Sequence, residues 1–204
     1  MYTGIVQGTE TVADIQPGDN FFTLFITNHH GLFDDLFVGA SVAINGTCLT
    51  ATGFVADRDL ATFDVSALTA SVTTLQFLKK GDDVNVERST RSGLENGGHS
   101  LYGHVEGMAE VKRLKRTGAT LHMDIVIPRG DIKYFFLKGF IGLHGCSLTV
   151  NRVDRIAEEV SVDLIPETLR LTTLKQIKVG EPLNYEIDQM TRTMVDTLEG
   201  IHLR

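Results

Sequence analysis

Cys48 and Ser147 hold the same place in two copies of one motif. Asn45-Gly46-Thr47-Cys48-Leu49-Thr50 is echoed by His144-Gly145-Cys146-Ser147-Leu148-Thr149, ninety-nine positions later. A functional reading of Cys48 needs a thiolate or hydrogen-bonding role at a pocket lip beside the flexible Gly46. The bland reading is a small buried hydrophobe. His104 lies in His99-Ser100-Leu101-Tyr102-Gly103-His104-Val105-Glu106-Gly107. An imidazole there is either a satisfied strand residue or an acid/base near neutral pH. His99 and His104 do not reach metal-ligand spacing with Cys48 and Cys146, so no metal is expected. No phosphate loop, dinucleotide fingerprint or nucleophile elbow occurs.

The elements that must position these groups are themselves duplicated. The same offset returns Gly4/Gly103, Val6/Val105, Gly8/Gly107, Asp64/Asp163, Thr69/Thr168, Gly81/Gly180, Asn85/Asn184 and Glu87/Glu186. The chain is therefore two copies of one module joined near residues 88–98. Divergence falls on polar groups near the repeated glycine: Asn45 faces His144, Ser41 faces Phe140 and Leu68 faces Glu167. That pattern suggests two similar pockets with different duties.

Each module reads as short strands over Gly4–Val12, Phe21–Ile26, Ser41–Ile44, Leu49–Phe54, Ala61–Val65 and Asp83–Glu87, a spacing that suits a small antiparallel barrel or sandwich. His30–Phe37 and Leu68–Leu75 are each expected to supply a helical turn or short helix, and Thr69 and Thr168 to cap short helices. Arg88–Gly98 is polar and glycine-rich, as a linker is. After the repeat, Met190, Met194, Leu198 and Ile201 form one apolar stripe of a terminal helix. The stripe covers either its own chain or another copy.

At 204 residues the chain has room for two modules with independent cores. A formal charge of −7 argues against a nucleic-acid surface. No segment approaches the roughly 20 apolar residues that span a bilayer, and the start carries no signal-peptide pattern. Two cysteines in unlike positions give no disulfide framework, so a reducing cytoplasm is the default expectation.

Four motifs then carry a resemblance: Met1-Tyr2-Thr3-Gly4-Ile5-Val6-Gln7-Gly8, Asn45 to Thr50, Gly98-His99-Ser100-Leu101-Tyr102-Gly103-His104-Val105 and Leu164-Ile165-Pro166-Glu167-Thr168-Leu169. In order and spacing, over essentially the whole chain, they resemble the riboflavin synthases of the alpha-chain type. The resemblance implies an all-β fold of two tandem six-stranded Greek-key barrels, residues 1–97 and 98–188, plus a C-terminal α-helix, 189–204, that joins three chains into a homotrimer. It implies dismutation of two molecules of 6,7-dimethyl-8-ribityllumazine, with transfer of a four-carbon unit, to riboflavin and 5-amino-6-ribitylaminouracil. No cofactor or metal takes part, and the N-terminal barrel of one subunit faces the C-terminal barrel of another.

By the same resemblance Cys48 and His104 act on the N-terminal barrel and Ser147 on the C-terminal one. Gly4, Ile5, Val6, Ser41, Leu49, Thr50, Asp64, Val65, Ser66, Ala67, Leu68, Thr69, Gly103 and Val105 would line the first pocket. Lys138, Leu148, Thr149, Ile165, Pro166, Glu167, Thr168, Leu169 and Arg170 would line the second. Departures from the family are Tyr2 for phenylalanine, Leu68 for glutamate, Ala70-Ser71 for a Leu-Arg pair, Tyr102 for serine and His144 for aspartate, most of them expected at the pockets. They keep a second class open: a non-catalytic lumazine or flavin binder, like the optical lumazine proteins of luminous bacteria.

Overall fold

Alternation of apolar and polar residues decides which faces turn inward. In β5 (Leu60–Ser66), Ala61, Phe63 and Val65 are fully buried while Asp64 and Ser66 are exposed, the period of two that a strand imposes. With β1 (Gly8–Pro17), β2 (Phe21–Thr27), β3 (Ser41–Ile44), β4 (Thr47–Val55) and β6 (Asp83–Arg88) it closes a six-stranded antiparallel barrel in the order β1-β2-β5-β4-β3-β6. Because β2 pairs with β5 and not β3, the connection is of Greek-key type. The second copy supplies β7 (Gly107–Thr117), β8 (Thr120–Val126), β9 (Phe140–Leu143), β10 (Cys146–Asp154), β11 (Glu159–Leu164) and β12 (Pro182–Ile187), closed in the equivalent order. These elements come from a computed structural model that describes residues 1–55, 59–93 and 95–202.

The repeat extends to irregularities. Register shifts fall at Val12/Asp14 and Ala51/Gly53 in one barrel and at Val111/Arg113 and Val150/Arg152 in the other. Such bulges bend strands and raise their twist, which a six-stranded closure needs. Each barrel has its own core, one around Phe33, Phe63 and Leu24, the other around Phe135, Met123 and Tyr185.

Short helices follow the expected strands. Ser66 accepts a hydrogen bond from the Thr69 amide and so caps α1 (Ala67–Val72); the expected cap, Thr69, is its donor. α2 (Pro166–Leu171) starts on a proline, where no amide is needed. The helix expected within 30–37 does not form. Those residues make turns, held by the Asn28 side chain on Asp34 and on the Phe33 amide, a side-chain bond that competes with helix. The last helix, α3 (Gln189–His202), packs Val195 on the second core, and Tyr134 donates to Asp196 at 2.6 Å. Its Met190, Met194, Leu198 and Ile201 stay exposed.

The repeated glycine has a different purpose from the one the sequence suggests. Asn45-Gly46 and His144-Gly145 are two-residue hairpin turns with positive φ at both residues (47° and 78°, 46° and 84°). The two turns meet: a Cβ on Gly46 would lie 2.5 Å from the Gly145 nitrogen. Gly46 is thus needed for contact between barrels, not for flexibility at a pocket lip. Around it the junction is nearly twofold. The Asn85 amide nitrogen donates to the His144 carbonyl (2.9 Å) and its oxygen accepts from Thr173 N–H (2.7 Å); Asn184 does the same with the Asn45 carbonyl (2.8 Å) and Thr74 N–H (2.7 Å).

His144 belongs to that junction, where it lines the groove between the two modules. Its Nδ1 accepts from the Asn184 amide at 2.9 Å, as Asn45 Oδ1 accepts from Asn85 at 2.8 Å. Burial pushes the imidazole down to about 4, so it stays neutral and an acceptor.

Candidate active site

Cys48 and Thr50 lie on the outer face of β4, because Leu49 and Ala51 point into the core. Ser147 and Thr149 stand likewise on β10. The site-forming side chains therefore sit outside each barrel wall, and something must cover them. Leu49, Leu148, Val65 and Leu169 bury their side chains and offer only backbone to a ligand.

The cover is exchanged between the modules. The segment leading into the second barrel crosses to the first, where the Gly103 carbonyl accepts from the Cys48 amide at 3.0 Å. The segment leading into the first barrel crosses to the second, where the Gly4 carbonyl accepts from the Ser147 amide at 2.8 Å. Tyr2 and Leu101 join the two segments by a pair of backbone hydrogen bonds, 2.7 and 3.0 Å. Both glycines have φ of +73°, and a Cβ on either would lie 2.5 Å from the Cβ it covers. Only glycine allows that approach without strain.

Of the residues expected at the first pocket, Gly4 covers Ser147 of the second barrel and Val6 is buried in the second core. The first site instead collects Cys48, Thr50, Gly103 and, next in the chain, the exposed His104, whose ring lies 6.1 Å from that of Tyr102.

A buried carboxylate grips each crossing segment. Glu87 accepts from Thr3 N–H (2.7 Å) and Gly4 N–H (3.1 Å), and Glu186 from Tyr102 N–H (2.6 Å) and Gly103 N–H (3.0 Å). Burial raises both acids, Glu186 to about 7, against the pull of those N–H groups.

Ser147 has a partner that the sequence reading set aside. His99 Nδ1 lies 2.6 Å from Ser147 Oγ, and the His99 amide donates to the same oxygen at 3.1 Å. The imidazole stacks on Phe140, centroids 4.8 Å apart, and burial lowers its pKa. Gly98 is equally involved, since a Cβ there would lie 2.0 Å from the Thr3 carbonyl oxygen and 2.8 Å from Ser147 Cβ. The signal available was Gly97-Gly98 directly before a histidine, which read only as a linker.

The remaining expected residues lie at equivalent places in the two modules or beside them. In the first module Asp64 accepts from Thr23 Oγ1 at 2.6 Å, Ser66 and Ala67 lead into α1, and Leu68 is 77% exposed. In the second, Asp163 meets His122, Ile165 and Pro166 lead into α2, and Glu167 pairs with Arg170 at 2.6 Å. Thr168 accepts from Thr172 through its carbonyl, as Thr69 does from Thr73. Lys138, exposed with φ of +67°, enters β9 with its amide on the Val150 carbonyl. Ser41 pairs with Thr50 across β3 and β4, and Val105 is half-buried.

Two open clefts lie away from the Cys48 and Ser147 side chains. One of 970 Å³ lies between residues 1–7 and the linker at 87–97, bordering Ile5 and Gly97. Another of 730 Å³ is a groove along the junction, between residues 74–83 and 173–182.

The lumazine binding domain family matches residues 3–89 and 102–188. Fold and site thus define a tandem lumazine-binding-domain protein, one domain per barrel. Among known proteins, riboflavin synthase of Escherichia coli (strain K12) is 41% identical over 202 residues, covering 98% of this chain and 93% of that one. Riboflavin synthase of Schizosaccharomyces pombe (strain 972 / ATCC 24843) is 36% identical over 193 residues, 93% and 90% of the two chains. The solved structure of LumP complexed with riboflavin superposes with a TM-score of 0.83 at 26% identity, over 93% of this chain and 100% of that one. The chain belongs to the riboflavin synthase family.

Proposed function

We propose that the chain acts as a riboflavin synthase, taking two molecules of 6,7-dimethyl-8-ribityllumazine and passing a four-carbon unit from one to the other. Riboflavin and 5-amino-6-ribitylaminouracil leave. The observation that carries this reading is near full-length identity to riboflavin synthases, together with one polar site per barrel. The acidic 7-methyl group and the electrophilic C7 belong to the substrate, so the protein's part is orientation and electrostatics, with no cofactor or metal.

The asymmetry of the repeat divides the work. Cys48 and His104 attend one lumazine; Ser147, backed by neutral His99, attends the other. A serine that hydrogen-bonds an imidazole has a place to send its proton when its oxygen turns to the substrate. The segments 64–69 and 165–170, with Lys138 on the second barrel, form the walls. We take the site to be completed by another copy, N-terminal barrel against C-terminal barrel, in a homotrimer held by the exposed stripe of α3 and acting in the cytoplasm. The units of that assembly are residues 1–97, 98–188 and 189–204.

Incubation of the purified chain with 6,7-dimethyl-8-ribityllumazine tests the proposal. Riboflavin forms if it is correct; lumazine that is bound but unchanged supports the carrier class instead.

A further inference from the structure

Tyr2 stands where no phenol has a counterpart in the other half, since its repeat mate is Leu101. The ring is 1% exposed and packs with Ala43, Leu101 and Cys48. Its hydroxyl lies 3.1 Å from Cys48 Sγ, its one side-chain partner among the described residues. A buried phenol hydroxyl needs such a partner.

The direction of this bond follows from the surroundings. Burial, the bond to Cys48 and the nearby carboxylates of Glu87 and Glu186 all raise the Tyr2 pKa. The oxygen therefore keeps its hydrogen and donates, and the sulfur accepts. A bond of this kind strengthens when its acceptor carries charge. The backbone of Tyr2 is fixed as well, bonded to Leu101 in both directions, so the hydroxyl is held in place.

We infer that Tyr2 is a positioning residue of the first barrel's site, whose hydroxyl donates to the Cys48 sulfur and fixes its place. The inference rests on the reading of that barrel as a substrate site. It concerns Tyr2 alone, which touches Cys48 and is not itself required to touch substrate. Cys48 is half-buried and open to small reagents, whereas Cys146 is 3% exposed with its thiol pushed up to about 12. One thiol reports, and the other serves as an internal reference.

The experiment is alkylation of the full-length chain by iodoacetamide across pH, with Cys48 and Cys146 resolved by mass spectrometry. Tyr2→Phe removes one oxygen and keeps the ring; Tyr2→Leu, which copies Leu101, removes the phenol by another route. In both, the Cys48 alkylation rate should change about tenfold while that of Cys146 stays at the parent's value. The rate constant kcat of riboflavin formation should fall with KM little changed. Equal Cys48 rates in parent and variants overturn the inference, as does a matching change at Cys146, which would mean that the fold had opened. A parent that makes no riboflavin but shows the alkylation difference refutes the enzyme reading and leaves the Tyr2 inference intact.

Discussion

The carbonyl of Gly103 accepts a hydrogen bond from the amide of Cys48 at 3.0 Å, across fifty-five residues of chain and from one barrel to the other. Gly4 repeats the relationship with Ser147 at 2.8 Å. Each barrel thus has the strand that bears Cys48 or Ser147 covered by the segment that leads into its neighbour. Gly103→Ala and Gly4→Ala should each cost about 2 kcal/mol or more, from left-handed strain plus displacement of Cys48 or Ser147. Thermal unfolding should fall by roughly 5 °C, and activity should fall further than stability accounts for.

Two buried groups give opposite pH slopes. His144, pushed down to about 4, binds its proton more weakly folded than unfolded, so its contribution is lost as pH falls from about 6.5 towards 4. Glu186, raised to about 7, binds its proton more tightly folded, so its contribution is lost as pH rises from about 4.5 through 7. His144→Asn, which copies Asn45, should remove the acid-side loss, and Glu186→Gln the neutral-side loss. Denaturant unfolding at pH 4.5, 6 and 7.5 checks both; the same slope in parent and variants would contradict the assignments.

His99→Gln keeps a polar side chain beside Ser147 but removes the imidazole. Riboflavin formation should fall about a hundredfold, the usual worth of a general acid–base group, while lumazine affinity changes little. Ser147→Ala should lose a similar amount, and the double variant little more, because the pair acts as one unit. Additive losses would mean that His99 serves only to pack against Phe140.

Cys48→Ser exchanges an easily ionised thiol for a barely acidic hydroxyl of similar shape. Turnover should drop by at least tenfold with ligand binding retained. The absence of tryptophan leaves ligand fluorescence free of strong protein background. Unchanged turnover would assign Cys48 to packing.

Removing residues 189–204 should convert trimers into monomers, since Met190, Met194, Leu198 and Ile201 are exposed on a helix whose other side already packs on the second barrel. Sedimentation of both forms checks it. A full-length chain that already sediments as a monomer contradicts the assembly.

The barrels were legible in the sequence because strand alternation and turn glycines are local signals, and the ninety-nine-residue offset made each a check on the other. Ser41–Ile44 forms at the expected bounds. The crossing was not legible. Gly4 and Gly103 share a repeat position, and nothing local says that each serves the other's barrel. For the same reason His144 read as a pocket residue: a histidine in place of a polar turn residue suggests chemistry until its Nδ1 is found on the Asn184 amide. His99 was passed over because its value lies in distance to Ser147, forty-eight residues away.

The most direct test of the central claim is to incubate the purified chain with 6,7-dimethyl-8-ribityllumazine alone and follow absorbance and products together. The account predicts one riboflavin and one 5-amino-6-ribitylaminouracil for every two lumazines consumed, with no added metal or cofactor. Lumazine held tightly and recovered unchanged, with no riboflavin formed, would contradict it.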